Sequence, residues 1–159
     1  MLSIAICDDE AWYVQQTANF AREYLHSRPE LSGQIHTFPC GQALLNKVEE
    51  TGGFDLYLLD IIMPELNGIQ TGQQLRELGN GGEIIYLTTS SDYAIDSYSV
   101  RAFFYLLKPI QKERLFEVLD AAVEKLNHRR QKAIVVTTRD GPRRLLLDQI
   151  LYVERVGRC

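Results

Sequence analysis

The stretch from Phe54 to Gly68, FDLYLLDIIMPELNG, decides how the rest of the chain is read. Phe54, Leu56, Tyr57, Leu58 and Leu59 form an apolar run too short for a helix. It stops on a carboxylate, Asp60, and the loop signals Met63-Pro64 and Asn67-Gly68 follow. That pattern is a buried strand delivering an acid to the start of a loop. A strand apolar on both faces belongs inside a parallel sheet, and in open α/β sheets functional groups gather just beyond the carboxyl ends of the strands. Taken alone, Asp60 is equally readable as a helix-capping aspartate in a turn.

The other strands add weight to the first reading. Leu2 to Cys7 (LSIAIC) is a second compact apolar run, and it ends in Asp8-Asp9-Glu10. From Ala11 to about His26, Val14, Ala18, Ala21 and Leu25 recur at helical spacing, and Arg28-Pro29 with Ser32-Gly33 closes that helix. Ile35, Thr37 and Phe38 read as a strand, and Gly41 to Glu50 as a helix with Ala43, Leu44 and Val48 on one face. Beyond the central loop, Ile69 to Leu78 is a polar helix anchored by Leu75 and Leu78, stopped by Gly79-Asn80-Gly81-Gly82. Glu83 to Thr88 (EIIYLT) is a buried strand ending in hydroxyls, Asp92 to Ser99 a short helix, and Ala102 to Leu107 (AFFYLL) a last strand ended by Lys108-Pro109. A long amphipathic helix follows over roughly Lys112 to Arg130. Strands alternating with helices predict a doubly wound α/β domain with a five-stranded parallel sheet covered on both faces.

Such a sheet brings Asp8, Asp9, Asp60, Thr88 and Lys108 to one edge. Three carboxylates held close cannot all ionise cheaply, so a proton or a cation must neutralise them, and hard oxygen ligands favour Mg²⁺. Lysine adds a positive point charge and threonine a hydroxyl donor, a pair suited to a phosphoryl group. Asp60 is then the natural nucleophile, because a carboxylate can accept phosphate as an acyl phosphate. Each residue also has a plain structural reading: N-capping acids for Asp8 and Asp9, a strand-end hydroxyl for Thr88, a solvated cation for Lys108, a core aromatic for Tyr105. Coincidence at four strand ends argues against that set of readings taken together.

These motifs resemble the receiver domain of two-component response regulators over residues 2 to about 126: the acidic pair after the first strand, LLDIIMPELNG around Asp60, YLT ending the fourth strand and YLLKP ending the fifth. The resemblance implies strand order 2-1-3-4-5, the flavodoxin-like receiver fold. It implies Asp60 as phosphoacceptor for a sensor histidine kinase and Mg²⁺ held by Asp9, Asp60 and the Ile62 backbone carbonyl, with Asp8 acting through water. Thr88 and Lys108 would contact phosphate, Thr88 and Tyr105 would form the switch, and the Lys108-Pro109 bond would be cis. Homodimerisation on phosphorylation is implied as well. No enzyme activity is expected beyond self-phosphorylation and self-dephosphorylation. Phe104 and Thr89 depart from the family's usual smaller residues.

The C-terminal part reads differently. Residues 1–126 carry 9 Lys and Arg against 18 Asp and Glu, whereas residues 127–159 carry 8 against 3, so an acidic body precedes a basic tail. Residues 127–132 read as a linker. Residues 133–138 (AIVVTT) and 143–147 (RRLLL) flank Arg139-Asp140-Gly141-Pro142 as a β-hairpin, and Ile150 to Glu154 as a further strand. From Ala133 through DQILYVERVGR the sequence resembles the opening of a LytTR-type DNA-binding domain, incomplete over 133–159. Promoter DNA is accordingly a partner of the complete output domain and not of this fragment alone.

Composition removes other classes. With 45% hydrophobic residues and no apolar run long enough to span a bilayer, the chain reads as globular and cytoplasmic, with no membrane partner. Three cysteines, Cys7, Cys40 and Cys159, without CxxC spacing suggest neither a disulfide framework nor zinc. An aspartate-nucleophile phosphatase of the haloacid dehalogenase type wants a second aspartate two positions after the nucleophile, where Ile62 stands. A flavodoxin-like cofactor module wants a phosphate-binding loop where Asp8-Asp9-Glu10 would repel phosphate. A receiver-like scaffold acting by protein interaction alone is the remaining alternative, and the intact acidic set speaks against it.

Overall fold

Strands β1 (Leu2–Cys7), β2 (Gly33–Phe38), β3 (Leu56–Leu59), β4 (Glu83–Thr88) and β5 (Phe104–Leu107) pair in parallel in the order β2-β1-β3-β4-β5. This is the expected doubly wound sheet. The computed structural model describes residues 1–140 together with Tyr152–Val153 and Val156–Gly157, and the surroundings of side chains through Arg130. Two compact units divide the chain, Met1–Val118 and Leu119–Cys159.

Within the first unit the sheet is covered on both faces. Residues of β3 and β4 are buried throughout, which is why LYLL of β3 and the central IIYL of β4 are apolar without alternation. Ala5, Cys7, Tyr57, Leu59, Ile84 and Tyr86 point to one face. There they join Leu44, Leu45 and Val48 of α2 (Gly41–Thr51), Leu75 of α3 (Gly68–Glu77), and Val100 at the end of α4 (Ala94–Ser99). The opposite face meets α1 (Ala11–His26) and the opening turns of α5 (Lys112–Asp140). In that layer Tyr24 stacks edge-on to Phe116 at 5.3 Å, with Arg28 over both rings. A right-handed crossover puts α1 on this side, because β2 lies on the opposite flank of β1 from β3, β4 and β5, and the opening turns of α5, after the last strand, pack beside it.

Local chemistry sets the start and stop of α3. Asn67 and Gln70 exchange side-chain-to-backbone bonds of 2.8 and 2.9 Å, a capping box that starts the helix at Gly68. Leu75 is fully buried as expected, but Leu78 is 47% exposed. The helix ends at Glu77, so Leu78 is its C-cap and lies past the last turn of the buried stripe.

The C-terminal expectation needs a larger correction. Residues 133–138, read as the first arm of a hairpin, are helical, and α5 runs without a break from Lys112 to Asp140 through the expected linker. No Gly or Pro interrupts 127–140, and each residue added to an existing helix gains a hydrogen bond. A two-stranded hairpin with no partner layer is marginal, so the β-branched run Ile134-Val135-Val136 follows the helix. Gly141-Pro142 comes directly after its end. The second expected arm, 143–147, lies outside the described residues. An antiparallel pair does occur in the second unit, later in the chain: Tyr152 pairs with Gly157 and Val153 with Val156. On α5 the residues Leu119, Ala122, Val123 and Leu126 form a buried stripe. Among the described residues no helix is long and apolar enough to cross a membrane.

Candidate functional site

The sheet's own hydrogen bonds continue past the strand ends and hold the acids in place. The Asp8 amide donates to the Phe38 carbonyl at 3.2 Å and the Asp60 amide to the Cys7 carbonyl at 2.9 Å. On the other flank the Lys108 amide donates to the Thr88 carbonyl at 2.7 Å. Asp8, Asp60, Thr88 and Lys108 therefore share one edge because four strands end there in register.

Carboxylate oxygens of Asp8, Asp9 and Asp60 lie within 4.8 Å of one another. Asp8 and Asp60 are buried, each 5% exposed, while Asp9 faces solvent. Lys108 is the cation set against them: Nζ is 2.7 Å from Asp8 Oδ2 and 3.6 Å from Asp60 Oδ1, with its side chain only 2% exposed. Asp8 Oδ1 accepts the Glu10 amide at 2.9 Å. Burial is the main force on Asp60, lifting its pKa from 3.8 to about 6. The Asp8 carboxylate adds to the lift and Lys108 opposes it. One ammonium among three carboxylates leaves an excess of buried negative charge offered entirely by hard oxygen donors. That donor set fits a hard divalent cation such as Mg²⁺.

The loop after Asp60 is built against β4. Met63 is buried with its sulfur 3.9 Å from Cys7 Sγ, whereas Ile62 is 48% exposed at the rim. Gly68 closes the loop: its amide donates to the Ile61 carbonyl at 2.8 Å and its carbonyl accepts the Tyr86 hydroxyl at 2.8 Å. A Cβ there would overlap the Asp60 carbonyl oxygen and come within 2.7 Å of Ile61 Cα, both backbone. Gly68→Ala is thus expected to cost about 3 kcal/mol in urea unfolding, since overpacking here must displace backbone and not a flexible side chain.

Thr88 is fully buried at the end of β4, and the Ser90 amide approaches its hydroxyl at 3.4 Å. Tyr105 is half-buried on β5, and its hydroxyl donates to the Ser90 carbonyl, so the residues expected to form a switch meet the same short segment. Thr89 is exposed, Phe104 lies under the Arg114 guanidinium at 4.9 Å, and the Lys108-Pro109 bond is cis. Tyr13 had no role in the sequence reading. Its ring lies 3.8 Å from Lys108 Nζ, a contact between residues too far apart in the chain for any local pattern to reveal.

The chain is similar to known proteins in sequence and in fold. Residues 4–120 match the response regulator receiver domain. The chain is 27% identical over 159 residues to the transcriptional regulatory protein YpdB of Escherichia coli K12, covering 98% of this chain and 63% of that relative's length. It is 36% identical over 120 residues to a response regulatory protein of Vibrio cholerae, covering 72% of this chain and 46% of the relative. Among solved structures, the response regulatory domain of MrkE from Klebsiella pneumoniae superposes with a TM-score of 0.71 at 22% identity, over 80% of this chain and 99% of that one. Fold, matched residues and relatives agree, and the chain belongs to the response regulator receiver family.

Proposed function

We propose that Asp60 accepts a phosphoryl group from a sensor histidine kinase and that its phosphorylation state controls an attached transcriptional output. The observation that carries this reading is the meeting of Asp8, Asp9 and Asp60 within 4.8 Å, with Lys108 between Asp8 and Asp60. An Asp60 carboxylate oxygen forms a bond to phosphorus as the phosphorus–nitrogen bond of the donor imidazole breaks. The electron pair leaves on that nitrogen. With its pKa near 6, Asp60 is mostly the carboxylate at neutral pH, the form the step requires. Lys108 supplies N–H donors for the phosphoryl oxygens, and Thr88 a hydroxyl. Asp9, Asp60 and the Ile62 carbonyl would hold Mg²⁺, with Asp8, already bonded to Lys108 and the Glu10 amide, acting through water. Bound there, Mg²⁺ neutralises charge accumulating on the phosphoryl oxygens.

Mass spectrometry after incubation with acetyl phosphate and Mg²⁺ tests the assignment. One added phosphate on wild type and none on Asp60→Asn is the expected result; uptake undiminished in the variant refutes it.

Thr88 drawn toward the phosphate and Tyr105 turning inward would alter the α4–β5 surface, where Ile95, Tyr98 and Leu107 are 81%, 80% and 51% exposed. Pairing of phosphorylated chains through α4, β5 and the start of α5 follows from this reading. The basic C-terminal residues would open a LytTR-type domain that meets promoter DNA when complete. This part of the reading is supported by the similarity to YpdB, a transcriptional regulatory protein, which extends over 159 residues. Ile62, apolar and exposed at the rim, offers no group to orient an attacking water. Ile62→Asn is expected to shorten the phosphoaspartate lifetime about tenfold at matched Mg²⁺, from water positioning alone. Equal decay of the two proteins would dismiss Ile62 as a barrier.

A further inference from the structure

Lys108 is a buried cation in contact with two acids and an aromatic face. Its Nζ lies 2.7 Å from Asp8, 3.6 Å from Asp60 and 3.8 Å from the centroid of the Tyr13 ring. An ammonium carries three N–H donors, and the face of an aromatic ring attracts such a cation most strongly where water is excluded. Water is excluded here, since the lysine side chain is 2% exposed. Tyr13 itself is fixed in the first turn of α1, with Trp12 edge-on to it at 4.9 Å.

We propose that Tyr13 is a positioning residue for phosphoryl uptake: its ring holds the Lys108 ammonium beside Asp60 without letting it close onto the nucleophilic carboxylate. This rests on the reading of Asp60 as phosphoacceptor. A lysine on a flexible four-carbon stem, facing two carboxylates and nothing else, would bond to whichever oxygens it could reach. The ring adds an attraction of its own at 3.8 Å, and the ammonium stays 3.6 Å from Asp60 while bonded to Asp8. An arriving phosphoryl group then needs only a short rotation of the ammonium, and the Asp60 oxygens remain available to attack. With acetyl phosphate as donor, Asp60 oxygen bonds to phosphorus, the phosphorus–oxygen bond of the donor breaks, and acetate leaves with the electron pair. Tyr13 exchanges no proton in this step and acts only through Lys108.

The test is the time course of phosphate uptake by the whole chain from acetyl phosphate at saturating Mg²⁺, in wild type, Tyr13→Phe and Tyr13→Leu. Tyr13→Leu is expected to lower the maximal rate about tenfold, the loss of a desolvated cation–π contact, with little change in the half-saturating donor concentration. Tyr13→Phe keeps the ring face and should retain most of the rate. Proton NMR gives a second readout independent of phosphate: ring current should move the Lys108 ε-methylene signals upfield in wild type and Tyr13→Phe but not in Tyr13→Leu. Three results overturn the proposal alone: a phosphorylated wild type with Tyr13→Leu equally fast, Tyr13→Phe as slow as Tyr13→Leu, or Lys108 signals at ordinary positions in wild type. A wild type that takes up no phosphate overturns the phosphoacceptor reading, and this proposal falls with it.

Discussion

In the absence of metal, Asp60→Asn is expected to be more stable than wild type near neutral pH by about 3 kcal/mol. That figure corresponds to a pKa raised from 3.8 to about 6 in a side chain only 5% exposed. The sign follows from the proton inventory. Below the unfolded value of 3.8 Asp60 is protonated whether folded or not, and the carboxyl contributes nothing to pH dependence. Between 3.8 and about 6 the folded protein holds a proton that the unfolded chain has released, so stability falls as pH rises. Above about 6 the folded carboxylate is ionised against burial and Asp8, and the whole penalty is present. Asparagine has no such titration. Urea unfolding with chelator should therefore show the two proteins converging toward pH 4 and separating toward pH 7. Saturating Mg²⁺ should narrow the gap at neutral pH, because a cation among Asp8, Asp9 and Asp60 relieves the repulsion that asparagine removes. Equal stabilities across this range would mean that the buried carboxylate is relieved by some other means.

Arg76→Met is expected to destabilise the protein by about 3 kcal/mol, the consequence of leaving several carbonyls without a donor. Arg76 projects from α3, and its guanidinium gathers two separate pieces of backbone, residues 80–82 and 100–101. Nε donates to the Val100 carbonyl at 2.8 Å, Nη1 to Asn80 and Gly82 at 2.9 and 2.8 Å, and Nη2 to Arg101 at 3.3 Å. Burial lowers its pKa, opposed by the nearby Glu83 carboxylate, which is itself buried. Arg101 has φ 55, in the left-handed region that costs a side-chain-bearing residue energy, so the turn out of α4 depends on partners of this kind. Val100 packs in the core beside α3, and the same clamp fixes the C-terminal end of α4 to it. Methionine keeps the apolar stem and isolates the hydrogen bonds. Arg76→Lys should recover less than half of the loss, because one ammonium cannot span four carbonyls from two segments as a planar fork does. Urea unfolding followed by far-UV circular dichroism measures both variants, and a loss below 1 kcal/mol for methionine would show that water replaces the clamp.

Much of the receiver is legible in its sequence. Ile4–Cys7, Leu56–Leu59 and Ile84–Leu87 are apolar on both faces, as a covered parallel sheet requires, and alternation with helices orients all five strands alike. Residues just past a strand end, Asp8, Asp60 and Lys108, are then bound to meet at one edge. The candidate site was readable for that reason. Less legible was anything that depended on competition between nearly equal local states. Ala133–Thr138 carries strand-forming residues in a segment free of helix breakers, and the structure continues α5 through it. Leu78 is apolar at a plausible helical position, yet one residue beyond the helix end is enough to expose it.

The succession of strands and helices, the strand ends, and so the gathering of Asp8, Asp9, Asp60, Thr88 and Lys108 follow from the order of residues alone. Hydrophobic periodicity and chain connectivity dictate these through neighbours in the chain. Packing in three dimensions selects the partner each buried polar group takes: Asp8 as the closer partner of Lys108, the Tyr13 ring beneath its ammonium, the Tyr86 hydroxyl on Gly68, and the Arg76 guanidinium on four carbonyls. Those choices join residues up to 100 positions apart. A buried charge or hydroxyl takes the groups that packing brings within about 3 Å, and that distance is fixed only when the layers have closed on the sheet.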